Sequence, residues 1–154
     1  MKELNAMARM RRILFATDFS KASAKAFATA MAMAKTNRAT LTILHVVVPF
    51  TPFVPEQYIN TDAWEQIDTQ ARRWGRQRLG KLTERAKKAG IRAVGLLIEG
   101  DPAQQIVKAA RSSRADVLVV GTHGRTGLAK FFVGSVAGRL EATASCPVLT
   151  VRGK

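Results

Sequence analysis

Five short apolar runs, separated by longer amphipathic stretches, limit how this chain can fold more than any other feature. The runs are rich in β-branched residues and end in polar turns, which is typical of buried strands. They lie at 12–17, 40–48, 91–98, 116–120 and 147–151. Strands separated by helices pair in parallel, because each right-handed crossover returns the chain to the same edge of the sheet. The pattern therefore predicts a single-domain α/β fold: an open, doubly wound, parallel five-stranded sheet with helices on both faces.

Helix signals occupy the stretches between the runs. Ser20 is predicted to cap the first helix, and Asp101 followed by Pro102 begins the third. The second helix is expected from Asp62 to about Gly90, and the fourth from 135 to 144. The side chains expected to face the core are Ala24, Phe27, Ala28, Met31 and Ala34 in the first helix, and Trp64, Ile67, Ala71, Trp74, Leu79, Leu82 and Ala86 in the second.

Length and composition agree with this fold. The 154 residues suffice for one domain, with a basic N-terminal tail over 1–11 and a long loop over 49–61 that holds three prolines. The single cysteine, Cys146, excludes an internal disulfide and is expected to be buried for structural reasons. No apolar run approaches the ~20 residues of a transmembrane segment, and no secretory signal follows the basic N-terminus. We therefore expect a cytoplasmic protein.

A glycine-rich loop follows the fourth predicted strand. Its spacing is Gly-x2-Gly-x9-Gly-Ser, at Gly121, Gly124, Gly134 and Ser135. Backbone N–H groups in such a loop form a nest for anions, and the N-terminus of the next helix also favours phosphate. The plain alternative is a flexible surface loop with a glycine-led helix start. The P-loop spacing is absent, and no Gly-x-Gly-x-x-Gly follows the first strand, which argues against a dinucleotide site.

Several stretches of the sequence resemble the universal stress protein family, in particular its ATP-binding branch. The stretches are RILFATDFS at 12–20, LHVVV at 44–48, GDP at 100–102, GTHGRTG at 121–127 with GSV at 134–136, and CPVLTV at 146–151. They extend over nearly the whole chain, and the glycine block is the most specific. The resemblance implies a Rossmann-like, adenine-nucleotide-binding fold that takes ATP, with Mg²⁺ accompanying the nucleotide and keeping most of its waters.

The resemblance also implies which residues bind the nucleotide. Ala16, Thr17 and Asp18 would lie near the base and ribose, and Val46 would contribute from the second strand. Relatives often carry proline at the position of Ala16, a departure that matters little if the contact is made by the backbone. The ribose and phosphates would be held by Val120, Gly121, Thr122, His123, Gly124, Gly134, Ser135 and Val136, with Arg125 adding positive charge.

Several single residues have more than one interpretation. Asp18 either accepts a hydrogen bond from a ribose hydroxyl, orients a hydrated cation, or caps the first helix, and Ser135 either donates to a phosphate or is a plain N-cap. His123 is expected to contact ligand rather than to catalyse, because the sequence places no nucleophile or carboxylate beside it. His45 is expected to be a core histidine. We predict no catalytic residue and no metal held by protein ligands, so turnover is expected to be slow or absent.

The charge balance is unusual. The chain has 25 Lys and Arg against 11 Asp and Glu, a net charge of +14. Between Thr69 and Ile98 one acidic residue, Glu84, accompanies nine basic ones: Arg72, Arg73, Arg76, Arg78, Lys81, Arg85, Lys87, Lys88 and Arg92. A solvated face of the second helix is the ordinary explanation, and contact with a polyanion is the alternative.

Two functions of different classes follow from these patterns. The first is an ATP-binding regulatory module that acts through partner docking or as a homodimer, paired through the edge of the last strand at 147–152. The second is a basic protein that binds nucleic acid or a membrane surface with its second helix. A slow ATPase also remains open. The loop at 49–61 either closes over the nucleotide or packs its aromatic residues on the core or on a second subunit.

Overall fold

A five-stranded parallel sheet forms the centre of the computed structural model, which describes residues 10–51, 53–122 and 135–153. The strands are β1 Arg12–Ala16, β2 Thr40–Val47, β3 Arg92–Glu99, β4 Val117–Thr122 and β5 Val148–Arg152. Their order is β3-β2-β1-β4-β5, and every neighbouring pair is parallel. The predicted open, doubly wound α/β sheet is confirmed.

Two layers of helices cover the sheet. The helices are α1 Lys21–Asn37, α2 Thr61–Lys88, α3 Pro102–Ser112 and α4 Ser135–Thr143. Helices α1 and α2 pack on one face, over a core that contains Phe15 and Ile43. Helices α3 and α4 pack on the other face, over Leu14 and Leu118. Adjacent strand residues point to opposite faces, so this alternation fixes which side chains each helix pair buries.

Side-chain caps set where the helices begin. The Ser20 hydroxyl accepts a hydrogen bond from the Ser23 N–H at 3.2 Å, and Asp101 accepts one from the Gln104 N–H at 3.0 Å. Both predicted N-caps are therefore confirmed. Helix α2 begins one residue before the predicted position, because the Asn60 side chain caps it by accepting from the Ala63 N–H at 3.3 Å.

The predicted buried face of α1 is partly wrong. Ala24 and Ala28 are exposed. The helix instead buries Ala22, Ser23, Ala26, Phe27, Ala30 and Ala34. Alanine occupies every second position from 22 to 34, so small apolar residues lie on all sides of the helix. Periodicity therefore could not select the face that packs.

The prediction that apolar side chains of α2 face the core is also wrong in the first half of the helix. Ile67 is 45% exposed and Trp74 is 48% exposed. At ~1.5 Å per residue the 28 residues of α2 span ~42 Å, whereas the eight residues of β3 span ~26 Å at ~3.3 Å each. The start of α2, including Ile67, therefore projects beyond the sheet, whereas Trp74 lies over the end of β2 with its ring edge-on to His45.

The segment predicted as an irregular loop contains one regular element. Glu56–Tyr58 form a short 3-10 turn, and the Phe50 ring stacks on Trp64 of α2 with centroids 4.5 Å apart. Phe53 and Tyr58 are exposed. Within the described ranges, no helix combines the length and apolar character that crossing a bilayer requires.

Strand order reverses between β1, the central strand, and its neighbour β4. Their connections leave in opposite directions, β1 toward β2 and β4 toward β5. In open α/β sheets this reversal leaves a crevice at the carboxyl ends of the two strands. The crevice here lies beyond Ala16 and Val120, which are partners in the register of the pair.

The first prediction concerns the core under this crevice. Leu118→Ala in β4 removes a fully buried side chain between β1 and β5, so the free energy of unfolding should fall by about 2–5 kcal/mol. Denaturant unfolding measures the loss. Leu96→Ala is the control, since that leucine is 36% exposed on the edge strand β3. Equal losses in the two variants would contradict the assignment of the core.

Candidate functional site

A narrow, largely apolar cleft opens where the strand order reverses. The space enclosed between its described walls is about 30 Å³, smaller than the ~300–1,000 Å³ of most small-molecule sites. The predicted site residues that line it are Ala16, Thr17, Asp18, Val46, Val120, Gly121 and Val136. The residues that also line it, but that the sequence did not single out, are Ser23, Leu44, Pro102, Ile106 and Ala137.

Thr17 forms the turn after β1 and uses all its polar atoms within the chain. Its N–H donates to the Leu44 carbonyl at 2.9 Å, and its hydroxyl lies 2.6 Å from the Ser23 hydroxyl. The same hydroxyl accepts from the Phe19 N–H at 2.9 Å. Its carbonyl oxygen lies 2.8 Å from Nδ1 of His45. Thr17 is buried, so these bonds fix the shape of the cleft floor.

Among the described residues that line the cleft, Asp18 is the one that carries a charge. Its Oδ1 accepts from the Ser20 N–H at 2.9 Å, which orders the start of α1, although Ser20 itself is the cap. Its Oδ2 accepts no hydrogen bond from the part of the chain that the structure describes. The carboxylate is partly exposed, so one oxygen is available to a hydroxyl or a hydrated cation.

Phe19 adopts a left-handed backbone, with φ 63°. This conformation is unusual for an aromatic residue and costs on the order of 1–3 kcal/mol. Its ring packs against His45 at 4.4 Å and meets Trp74 edge-on at 5.3 Å, measured between centroids. The Arg78 guanidinium lies 5.4 Å from the Phe19 ring and 5.3 Å from the Trp74 ring, within cation–π range. Helix α2 therefore holds the strained turn in place.

His45 lies beneath this turn, as a core histidine should. A carbonyl can only accept, so Nδ1 of His45 carries the proton and donates to Thr17. Burial lowers the pKa of His45 below its ordinary 6.5, while the bond to Thr17 and the nearby Asp18 carboxylate oppose that change. The ring is therefore neutral at pH 7. It does not line the cleft, so its role there is to position the backbone.

Gly121 is the last buried residue of β4. The structure explains why glycine occupies this position, and the explanation is not the close approach of a ligand. A Cβ at this position would lie 2.8 Å from the backbone C and O of Ala22 and 2.9 Å from the Ser23 N. The missing side chain thus lets the first turn of α1 pack directly against the strand. Thr122, the next predicted residue, does not line the cleft; its carbonyl accepts from the Gly153 N–H at 3.0 Å.

The remaining predicted residues fall mostly outside the described ranges. They are His123, Gly124, Arg125 and Gly134. Ser135 begins α4, whose next two residues, Val136 and Ala137, line the cleft. The N-terminus of α4 therefore lies at the cleft. Across 10–51, 53–122 and 135–153, no group of three or more His, Cys, Asp or Glu side chains gathers as metal ligands would.

Cys146 lies at the opposite end of β5 from this site. It is partly buried, and burial is the main cause that raises the pKa of its thiol above the ordinary value. The thiol therefore stays protonated at neutral pH, which agrees with the structural role expected for it.

Comparison with known proteins identifies the family. The universal stress protein family profile matches residues 10–152. A universal stress protein of Methanocaldococcus jannaschii is 35% identical over 144 residues, covering 92% of this chain and 82% of that protein. One from Bacillus subtilis is 33% identical over 150 residues, covering 92% and 98%. The chain belongs to the universal stress protein family.

Solved structures of universal stress proteins share the fold. The Lactobacillus plantarum UspA structure has a TM-score of 0.78 at 22% identity and covers 94% of this chain and 99% of its own. A universal stress protein in complex with cAMP has a TM-score of 0.67 at 23% identity, covering 95% and 99%. An Arabidopsis thaliana family member with AMP bound has a TM-score of 0.64 at 20% identity, covering 94% and 92%.

The lowered pKa of His45 predicts how the stability of this universal stress protein depends on pH. As the pH falls below 6.5, the unfolded chain binds a proton at His45 more readily than the folded chain does. The contribution of His45 to the free energy of unfolding is therefore complete above pH 6.5 and declines as the pH falls. Urea unfolding between about pH 5 and 7 should show stability rising with pH. His45→Gln should flatten that slope. An unchanged slope in His45→Gln would refute the assignment.

The contact made by Gly121 gives a further prediction. Gly121→Ala forces a side chain into the backbone of α1, so the free energy of unfolding should fall by about 1–3 kcal/mol. Gly138→Ala is the control, because a Cβ there meets nothing within 4 Å. In the helix α4 it should stabilise by about 0.5–1 kcal/mol. Thermal unfolding compares the two, and a neutral Gly121→Ala would show that α1 does not pack this closely.

Proposed function

We propose that this chain is a regulatory module that binds ATP, with Mg²⁺, in the cleft at the carboxyl ends of β1 and β4. The observation that carries the proposal is the cleft lining, in which apolar walls surround a single available carboxylate, that of Asp18. The location is the one at which open α/β sheets bind ligands. Family relatives described as complexes with cAMP and with AMP support an adenine nucleotide as the ligand.

The described residues suit the nucleoside half of ATP. An adenine ring is flat and apolar on both faces, and the walls offered by Ala16, Val46 and Ile106 are apolar. Ribose hydroxyls can donate to a carboxylate, and Asp18 Oδ2 has that capacity. The phosphates would extend toward the N-terminus of α4 and the glycine loop, where helix-end N–H groups favour anions.

Mg²⁺ would be bound chiefly by the nucleotide. Mg²⁺ prefers octahedral oxygen coordination and usually keeps several waters while it contacts phosphates. The described lining offers one carboxylate, that of Asp18, which suits a water-mediated contact better than a closed cage. The ion would neutralise phosphate charge in the bound nucleotide.

Binding with little or no turnover fits the groups at the cleft. Hydrolysis needs a group that orients or deprotonates water. The histidine nearest the cleft floor, His45, has its Nδ1 engaged with Thr17 and its ring packed on Phe19. Asp18 is the remaining titratable group among the described lining residues. The proposal therefore assigns regulation rather than catalysis to the bound nucleotide.

Nucleotide binding would exert its regulatory effect through a homodimer or through a docked partner protein. Within the described ranges, strand β5 pairs with β4 and with no second strand, so its other edge presents backbone groups without a strand partner there, and Leu149 in this strand is 36% exposed. A free edge of this kind invites pairing with a second strand. Two copies related by a twofold axis would satisfy both edges at once.

Calorimetric titration with Mg-ATP and, in parallel, Mg-GTP at physiological salt tests the proposal. We expect saturable ATP binding with a clear preference over GTP, since a shaped site distinguishes bases whereas net charge does not. Gly124→Val should abolish ATP binding by blocking the backbone nest. Gly138→Val, at an open position in α4, should bind as the native chain does.

Two results would contradict the proposal. Equal, weak binding of both nucleotides would mean that attraction to the +14 net charge accounts for it. Near-native affinity in Gly124→Val would remove the glycine loop from the phosphate site.

A further inference from the structure

A ring of basic side chains surrounds the amino-terminal edge of the sheet, at the end of the molecule opposite the cleft. Every helix runs antiparallel to the strands, so α1, α2 and α3 all end at this edge. We name this surface the amino-end rim. It comprises Arg11, Arg12, Lys35, Arg38, Lys87, Lys88, Arg92, Arg111 and Arg114, all of which are exposed.

Strand register brings these residues from distant parts of the sequence into one surface. The register pairs Thr40 of β2 with Arg12 of β1 on one side and with Arg92 of β3 on the other. The Cα atoms of Arg12 and Arg92 are therefore about 10 Å apart, which is two strand spacings. The Arg92 guanidinium donates to the Arg38 carbonyl at 3.2 Å. The end of α1 is therefore fixed beside the start of β3.

Acidic side chains compensate little of this charge. Asp116, at the start of β4, accepts from the N–H groups of Arg11 and Arg12 at 2.8 Å each and lies 3.5 Å from the Arg12 guanidinium. The other acids near this edge are Glu84, one turn before the end of α2, and Glu141, near the end of α4. Among the residues that the structure describes, nine cations thus accompany three carboxylates.

Helix dipoles explain part of the rim. Cations in the last turn stabilise a helix C-terminus, and Lys35, Lys87, Lys88 and Arg111 occupy last turns. Arg11, Arg12, Arg38, Arg92 and Arg114 lie outside the helices. Their mutual repulsion opposes folding, so an external anion that neutralises them would be bound favourably.

The mid-section of α2, which the sequence favoured for such binding, suits it less well. Arg72 pairs with Glu99 at 3.1 Å. The guanidinium groups of Arg78 and Arg85 lie over aromatic rings of the protein, Arg85 being 5.7 Å from the centroid of Phe27. These arginines already have partners within the fold, whereas most rim side chains have no ion-pair or aromatic partner among the described residues.

The rim residues favour nucleic acid over a membrane. Six of the nine are arginines, whose planar forks bind phosphate oxygens in pairs. Amphipathic membrane anchors combine basic residues with exposed apolar ones. Among the described residues, most exposed large apolar side chains are near the other end, at Val48, Phe50, Phe53, Val54, Tyr58, Ile67 and Trp74. Val94 on β3 and Leu149 on β5 are the nearest to the rim.

We propose that the amino-end rim binds the phosphate backbone of nucleic acid without reading its sequence. This activity is separate from the nucleotide cleft and does not depend on it. Counterion release would provide the driving force, so affinity should fall steeply as salt rises.

Fluorescence anisotropy with a labelled DNA duplex of about 20 base pairs, titrated between about 50 and 200 mM salt, tests the proposal on the full chain. Two triple variants lose the same charge: Lys88→Gln/Arg111→Gln/Arg114→Gln in the rim, and Arg73→Gln/Arg76→Gln/Lys81→Gln along α2. The rim variant should bind at least about tenfold more weakly at low salt, and its salt slope should fall by about 2–3. The α2 variant should change affinity by less than about threefold.

Each other outcome would overturn the proposal. Equal weakening in both variants would show that net charge alone attracts DNA. Absence of binding at low salt would show that the rim is a solvated surface. Tighter binding to vesicles of anionic phospholipid than to the duplex at the same salt would assign the rim to membranes. Displacement of the duplex by Mg-ATP from both variants alike would place the DNA in the cleft.

Discussion

The site depends first on the turn after β1, where Thr17 uses its N–H, carbonyl and hydroxyl to join three parts of the chain. These groups contact Leu44 and His45 of β2 and Ser23 of α1. A buried turn that left these groups unpaired would cost several kcal/mol, so the turn has little freedom. It fixes where β1 ends and where α1 begins. The cleft is the space that this arrangement leaves beside the end of β4.

Helix α2 supports that turn from the other side. Phe19 is held in a strained backbone conformation while its ring contacts His45 and Trp74. The Arg78 guanidinium lies over the Phe19 ring and the Trp74 ring. The strain is stable only because these contacts surround it. Residues of α2 that lie outside the cleft therefore position Asp18, the neighbour of Phe19. A substitution at Trp74 or Arg78 would therefore change the position of Asp18 through Phe19, at the end of the cleft where we propose that the nucleoside binds.

Local patterns in the sequence predicted the strands, two helix caps and the end of the sheet that carries the cleft, because each depends on a few adjacent residues. Tertiary features were not predictable in this way. Trp74 belongs to an apolar stripe, yet it packs on Phe19 and His45 with one side alone, and about half of it faces solvent. Ser23 gave no signal, since its role arises from a hydroxyl six residues earlier. Gly121 was singled out for the approach of a ligand to its backbone, whereas its missing side chain makes room for the backbone of α1.

The distribution of charge separates the two ends of the molecule. Helix N-termini, which carry positive partial charge, meet at the carboxyl edge of the sheet, and helix C-termini meet at the amino edge. A phosphate site at the carboxyl edge can therefore be built from backbone N–H groups, and the described cleft lining contains no lysine or arginine. The net charge of +14 is concentrated elsewhere, with nine exposed cations on the rim. The described cleft lining therefore gives no account of the basic composition of the chain, whereas the proposed binding of a second anion at the opposite end would explain it.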